Sequence, residues 1–138
     1  MRPEIGGITG RSEKLRECLG KLEPLRKKGR EGFDQEPYLR DIVERNLEGA
    51  IQSPIDMGNR IISIEDAQEP KDCYEVFLVL GHLQVLPTEV AKQIAPIAGF
   101  RNIPVHDYVS ADWDPIYEHL QNREDFYDFE KHIKKWLE

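Results

Sequence analysis

The stretch Gly99-Phe100-Arg101-Asn102-Ile103-Pro104-Val105-His106-Asp107-Tyr108 gathers an arginine, an asparagine, a histidine, an aspartate and a tyrosine at the end of an apolar segment. No other part of the chain concentrates such groups. A guanidinium stabilises negative charge on a phosphate, and an imidazole takes and gives a proton near neutrality. Together, Arg101 and His106 suit phosphoryl chemistry. The pair suffices for RNA cleavage in which the neighbouring 2′-hydroxyl is the nucleophile. On a straight α-helix two residues five apart project about 140° from each other, so they would not share a face. Pro104 lacks an N–H and biases Ile103 away from helical geometry, so a distorted backbone could bring His106 back toward Arg101. Convergence across a subunit interface is the other route. A purely structural role fits the same residues, with Arg101 paired to a carboxylate, His106 capping a helix and Tyr108 in an interface or the core.

Asp56 and Asn59 are polar groups on an otherwise apolar helical stretch. They either face the same cleft as the motif or form an interior network between helices. His82, His119 and His132 have no partner in a metal-ligand pattern, so neither a metal nor another cofactor is expected. Cys18 and Cys73 lie far apart with no CxxC, which predicts buried free thiols in a reducing, cytosolic compartment. No Gly-rich phosphate loop and no GxSxG elbow is present.

These groups must be positioned by 138 residues, of which 39% are hydrophobic and 33% charged, with a formal net charge of -7. That is a single domain's length, and at this size a core forms without disulfides or a structural metal. The acidic balance excludes a protein that coats nucleic acid or anionic membrane non-specifically. No apolar run approaches the roughly 20 residues that span a bilayer, and MRPEIGGITG lacks the apolar centre of a signal peptide.

Gly6, Gly7 and Gly10 predict a flexible leader over residues 1–11, with one helical domain over 12–138. Leu15, Cys18, Leu19, Leu22 and Leu25 recur at helical spacing behind Ser12 as N-cap, and Pro24 should disturb the last turn. After a break at Gly29 to Gly32, a long helix capped by Asp34 is expected through Ile62, bent at Pro54. Met57, Gly58 and Ile61 on it suggest close contact with a neighbour. Asp72 can cap a third helix, although its VFLVL run is also strand-like; a lone strand has no partner for its backbone, so helix is expected. Pro87 and Thr88 open a fourth helix that Pro96 should bend. A short helix around Ile116 and Leu120 follows, and Asp125 begins a last one with Phe126, Phe129, Ile133, Trp136 and Leu137 on one face. About five amphipathic helices with short polar loops make an all-α up-and-down bundle.

The segment Arg101-Asn102-Ile103-Pro104-Val105-His106-Asp107-Tyr108 resembles the R-x4-H-x-Y signature of the HepT-like toxins of the HEPN superfamily. The stretch Ile42 to Ile64, with Asn46-Leu47 and Ile55-Asp56-Met57-Gly58-Asn59, is similar to that family's long second helix. The order of the Tyr74 to Leu80 helix, the Leu86 to Ala98 helix and Asp112-Trp113-Asp114 matches as well, so the likeness covers about Ser12 to Trp136. Pro104 departs from the family's usual residues within the motif. The resemblance implies an all-α, dimeric HEPN-like bundle with a composite site built from both subunits. It further implies a metal-independent endoribonuclease, toxic to its own cell and acting in the cytoplasm. An MntA-type nucleotidyltransferase antitoxin would neutralise it by moving AMP onto Tyr108. In that picture Arg101 and His106 are catalytic, and Asn102, Asp56 and Asn59 are supporting or RNA-binding. The competing function is a non-catalytic helical adaptor that serves a nucleotidyltransferase as its binding subunit.

The charge is unevenly spread. Residues 1–30 hold nine Lys/Arg against four Asp/Glu, and the remainder is strongly acidic. Arg26, Lys27, Lys28 and Arg30 are either a basic rim that draws RNA toward Arg101 or a solvated helix face. An acidic body with local positive charge fits an enzyme that meets RNA at one small cleft.

Overall fold

The computed structural model describes residues 3–101 and 123–138, with side chains described for 6–28, 31–99 and 123–138. The described chain runs α1 (Pro3–Arg26), α2 (Gly29–Gln35), α3 (Tyr38–Ile64), α4 (Cys73–His82), α5 (Thr88–Ile94), a 3-10 turn (Ala95–Ile97), α6 (Ala98–Arg101) and α7 (Glu124–Leu137). The described residues contain no strand, and the all-α expectation holds.

Helices α1 and α3 form an antiparallel pair. Gly7 lies against the Arg60 side chain, Arg11 pairs with Asp56, and Cys18 sits against Gly49. Each step along α1 is thus matched by an equal step backwards along α3, and the one from Arg11 to Cys18 is a heptad, the repeat that keeps one helical face on its neighbour. Ile8, Leu15, Cys18 and Leu19 are buried with Ala50, Ile51, Ile55, Met57, Ile61 and Ile62 in one core.

This pairing overturns the expected leader. Gly6, Gly7 and Gly10 are helical within α1, and Ile8 is completely buried. Glycine's cost in a helix is up to about 1 kcal/mol each, and burying an isoleucine offsets one or two such costs. Gly7 also admits the Arg60 guanidinium, which a Cβ there would approach to 2.8 Å. The expected break at Gly29 to Gly32 likewise falls inside α2, a short helix that carries the fully buried Phe33. Asp34 therefore does not cap the long helix, which starts at Tyr38 behind Pro37.

Pro54 is buried inside α3, and the helix runs through it to Ile64. Asp72 caps α4 as expected, accepting a hydrogen bond from the Glu75 N–H at 2.8 Å. The strand-like VFLVL run is helical there, with Val76, Phe77 and Leu80 buried. Gly58 is where α3 and α4 touch: a Cβ on it would lie 2.5 Å from Val76 Cγ1 and 3.2 Å from Leu80 Cδ1.

Pro96 breaks the next segment into α5, the 3-10 turn and α6, which is the expected bend. Phe126, Phe129 and Ile133 of α7 complete the core, and Phe129 meets Phe77 edge to face with ring centroids 5.8 Å apart. Two ion pairs tie α7 back to α1, Arg123 to Glu23 at 2.5 Å and Arg16 to the buried Glu130. Lys134 approaches the same Glu130 oxygen at 3.5 Å. The helix expected around Ile116 and Leu120 lies outside the described residues.

Candidate functional site

The motif begins where the bundle delivers it. Ala95, Ile97 and Ala98 are buried in the core, and this anchors the 3-10 turn and α6, whose last residue is Arg101. Helix α6 packs against α3 and α4. The backbone that carries Arg101 is therefore held by the same core that positions Asp56's helix. Asn102, His106 and Tyr108 lie outside the described residues, and so does the Arg101 side chain.

Asp56 faces a groove between α1 and α3 of about 860 Å³. One of its oxygens pairs with Arg11 Nε at 3.3 Å, and the other accepts from Gln52 Nε2 at 2.8 Å. Both carboxylate oxygens are thus engaged, and Asp56 acts as a strut between helices, one of the two roles its sequence position allowed. Asn59 is exposed on α3 and does not line this groove. The groove is lined by Arg11, Lys14, Lys21 and Arg45 but also by Glu13, Glu17, Glu48 and Asp56. With cations and carboxylates in equal number it carries no net field for a polyanion.

Cys18 closes the floor of the groove. Burial pushes its thiol above the ordinary range; the nearby Glu17 adds to the rise, and Lys14 and Lys21 oppose it. The thiol stays protonated at neutral pH and is no nucleophile. Elsewhere, Arg26 pairs with Glu23 at 3.6 Å and Lys28 with Glu36 at 3.4 Å, so part of the basic rim is neutralised locally. The described residues hold no cluster of three metal-ligating groups, and no described helix is long and apolar enough to cross a membrane.

Two features escape a sequence reading. Arg11 is the partner of Asp56, yet it falls in the segment expected to be a leader. The spacing of Arg11, Lys14, Cys18 and Lys21 is the signal that was there to find. Glu44 is the second: it is 3% exposed, and its Oε1 has no hydrogen-bond partner among the described residues. Burial raises its carboxyl above the usual range, Asp41 raises it further, and Arg40 opposes.

Comparison with known proteins decides the family. The model of the family described as Ribonuclease HepT-like matches residues 15–135. The chain belongs to the HepT-like ribonuclease family. Its enzyme class is therefore that of an endoribonuclease, as the motif suggested. A tRNA nuclease HepT of Aphanizomenon flos-aquae is 38% identical over 76 residues, which are 55% of this chain and 52% of that protein. The match thus spans about half the length of that relative. An mRNA nuclease HepT of Shewanella oneidensis is 26% identical over 125 residues, covering 88% of this chain and 93% of that one. Among solved structures, a toxin–antitoxin complex with AMP-PNP contains a chain that superposes with a TM-score of 0.84 at 24% identity, covering 94% of this chain and 98% of its own. A tri-AMPylated HEPN toxin of Shewanella oneidensis in complex with an MNT antitoxin gives 0.82 at 24% identity, with 98% and 99% covered. At that identity the two structures establish the HEPN-like fold.

Proposed function

We propose that this HepT-like chain is a metal-independent endoribonuclease toxin whose catalytic residues are Arg101 and His106. The observation that carries the reading is that the family match, over residues 15–135, spans Arg101-Asn102-Ile103-Pro104-Val105-His106-Asp107-Tyr108. His106 takes the proton of the RNA 2′-hydroxyl as its oxygen attacks the adjacent phosphorus, and Arg101 stabilises the negative charge of the phosphorane-like transition state. The bond to the 5′-oxygen then breaks, and that oxygen gains a proton. Cyclic 2′,3′-phosphate and 5′-hydroxyl ends result, with no metal and no other nucleophile. Two chains form a homodimer and contribute Arg101 and His106 to one composite site, so that one imidazole serves as base and the other as acid. Asn102 orients the substrate; Asn59, exposed on α3, supports RNA binding, and Asp56 contributes by holding α1 on α3 through Arg11. The enzyme acts in the cytoplasm, where its RNA substrates are.

An MntA-type nucleotidyltransferase is the proposed antitoxin. It would transfer AMP from ATP to the Tyr108 hydroxyl and release pyrophosphate. Tyr108 is two residues beyond His106, so each added AMP puts bulk and negative charge where an RNA phosphate must enter. The relatives described above, two nucleases and an AMPylated toxin in complex with its antitoxin, support this reading.

The test expresses the chain and its His106→Ala variant, and scores growth arrest and RNA cleavage in EDTA. Cleavage by the unaltered protein in EDTA, lost by about 100-fold or more in the variant, is expected. Equal cleavage by both, or none by either, refutes the catalytic role. Mass spectrometry after incubation with the transferase and ATP should place adenylyl groups on Tyr108; their absence refutes the modification site.

A further inference from the structure

The C-terminal ends of α4 and α7 and the start of α5 border a second, open concavity, of about 590 Å³. That volume lies within the roughly 300–1,000 Å³ of small-molecule sites. His82, Gln84, Thr88, His132, Lys135 and Trp136 line it, and no carboxylate does so among its described lining residues. In a chain with a net charge of -7, the one formally charged side chain in this described lining is a cation, Lys135. The indole of Trp136 is seated against the core, and Val85 and Leu86 in the same lining are buried, so the apolar part of the wall is fixed. The turn that shapes the rim is fixed as well. Gln84 adopts a left-handed backbone, φ 62°, held there by the Val85 N–H donating to Leu80 O at 3.0 Å and its own N–H to Gly81 O at 3.1 Å.

We propose that this concavity binds a nucleotide unit. Lys135, His82 and His132 take the phosphate, and the base stacks against Trp136, with Gln84 and Thr88 offering hydrogen bonds to its polar edges. A lysine and two imidazole N–H donors without a competing carboxylate among the described lining favour a phosphate, and aromatic faces accept any base because every base has a π-face. His82 and Lys135 each lie in the last turn of their helix and so also offset its negative end. That role needs neither an indole nor a concave wall. The concavity's described lining shares no residue with that of the α1–α3 groove, and the proposal does not depend on the ribonuclease assignment.

The experiment is a titration of the ¹⁵N-labelled full chain followed by NMR, using AMP, inorganic phosphate and a 2′-O-methyl hexanucleotide that cannot be cleaved. Saturable shifts at His82, His132, Lys135 and the Trp136 indole N–H are expected with AMP or with the hexanucleotide. AMP alone would mark a free-nucleotide site, the hexanucleotide alone a single-strand RNA subsite, and both a nucleotide unit from either source. The double variant His82→Ala, Lys135→Ala, and separately Lys135→Glu, should weaken the affinity by about tenfold, the weight of one charge-assisted contact. Shifts outside the pocket that are unchanged in the unliganded variants confirm that the fold is kept. No saturable shift with either nucleotide probe overturns the proposal. So does equal affinity for phosphate and AMP, which leaves the indole no role, or affinity that both variants retain.

Discussion

Replacing Gly58 and Gly20 with alanine should move stability in opposite directions, although the chemical change is identical. Both sit inside helices, where the exchange alone stabilises by about 0.5–1 kcal/mol. At Gly20 nothing lies within 4 Å of the new Cβ, so that gain stands. At Gly58 the Cβ would meet Val76 Cγ1 at 2.5 Å and Leu80 Cδ1 at 3.2 Å, and both side chains are buried in the core. Neither has open space to retreat into, so the overpacking cost belongs in the upper part of the usual range, about 2–3 kcal/mol. The net effect of Gly58→Ala is a loss of about 1–2.5 kcal/mol. At roughly 2.1 cal/mol/K per residue, 138 residues give an unfolding entropy near 0.3 kcal/mol/K, so Tm should fall by about 3–9 °C. Gly20→Ala should raise it by about 2–3 °C. Thermal melts followed by circular dichroism at 222 nm measure both. A double-mutant cycle sharpens the test, because Val76→Ala removes the clashing methyl and should cost less in the Gly58→Ala background than alone. A Gly58→Ala protein as stable as the parent, or one whose loss Val76→Ala does not relieve, would refute the close approach of α3 and α4.

Glu44→Gln should raise Tm at pH 7.5, by an amount corresponding to about 1 kcal/mol, because it removes a buried charge with an unpartnered oxygen. The folded carboxyl is raised, so its proton is favoured in the fold: the gain should vanish below about pH 4, where Glu44 is neutral in both states, and grow as pH rises through the folded value. A gain of equal size at pH 4 would contradict the burial argument. Glu130→Ala breaks the tie of α7 to Arg16 and should cost about 1–2 kcal/mol, less than a fully buried pair because Arg16 can rehydrate. Hydrogen exchange over Glu124–Leu137 should accelerate, and unchanged protection there would show that the ion pair does not dock the helix. Gln84→Gly should stabilise by about 0.5–1 kcal/mol, since glycine adopts the left-handed backbone without strain. Asp66→Gly, at φ 52°, should gain less, because aspartate tolerates that region better than glutamine. Chemical denaturation of the two variants gives the comparison, and the reverse order would count against this account.

What was legible in the chain was periodic or capped. The Asp72 cap, the Phe126, Phe129 and Ile133 stripe and the small residue at Gly58 are local patterns, and a helix in this position can satisfy them in only one way. Gly6 to Gly10 and Gly29 to Gly32 were misleading because glycine's local preference competes with a distant term. Ile8 is buried in a core shared with α3, a part of the chain that local propensity does not see, and Phe33 is fully buried as well. The same separation hides the partner of Asp56. Gln52 is one turn away and could be read from spacing, but Arg11 comes from another helix, and only the register of α1 on α3 brings the pair together. The motif itself was legible as chemistry, because residue types carry their reactivity with them. Its geometry was not, since Pro104 leaves the path between Arg101 and His106 open.

The antiparallel register of α1 and α3 also orders events at the ribosome. Gly7 emerges early, yet Arg60, against which it is seated, is made some fifty residues later, a delay of roughly three to ten seconds at ordinary synthesis rates. Throughout that interval Ile8 has no α3 surface to bury against, and Leu15 and Leu19 gain theirs only as the middle of α3 is made. The nascent chain therefore exposes its most apolar early stripe to water or to a chaperone until the end of α3 is translated, and a stall between those points would prolong the exposure.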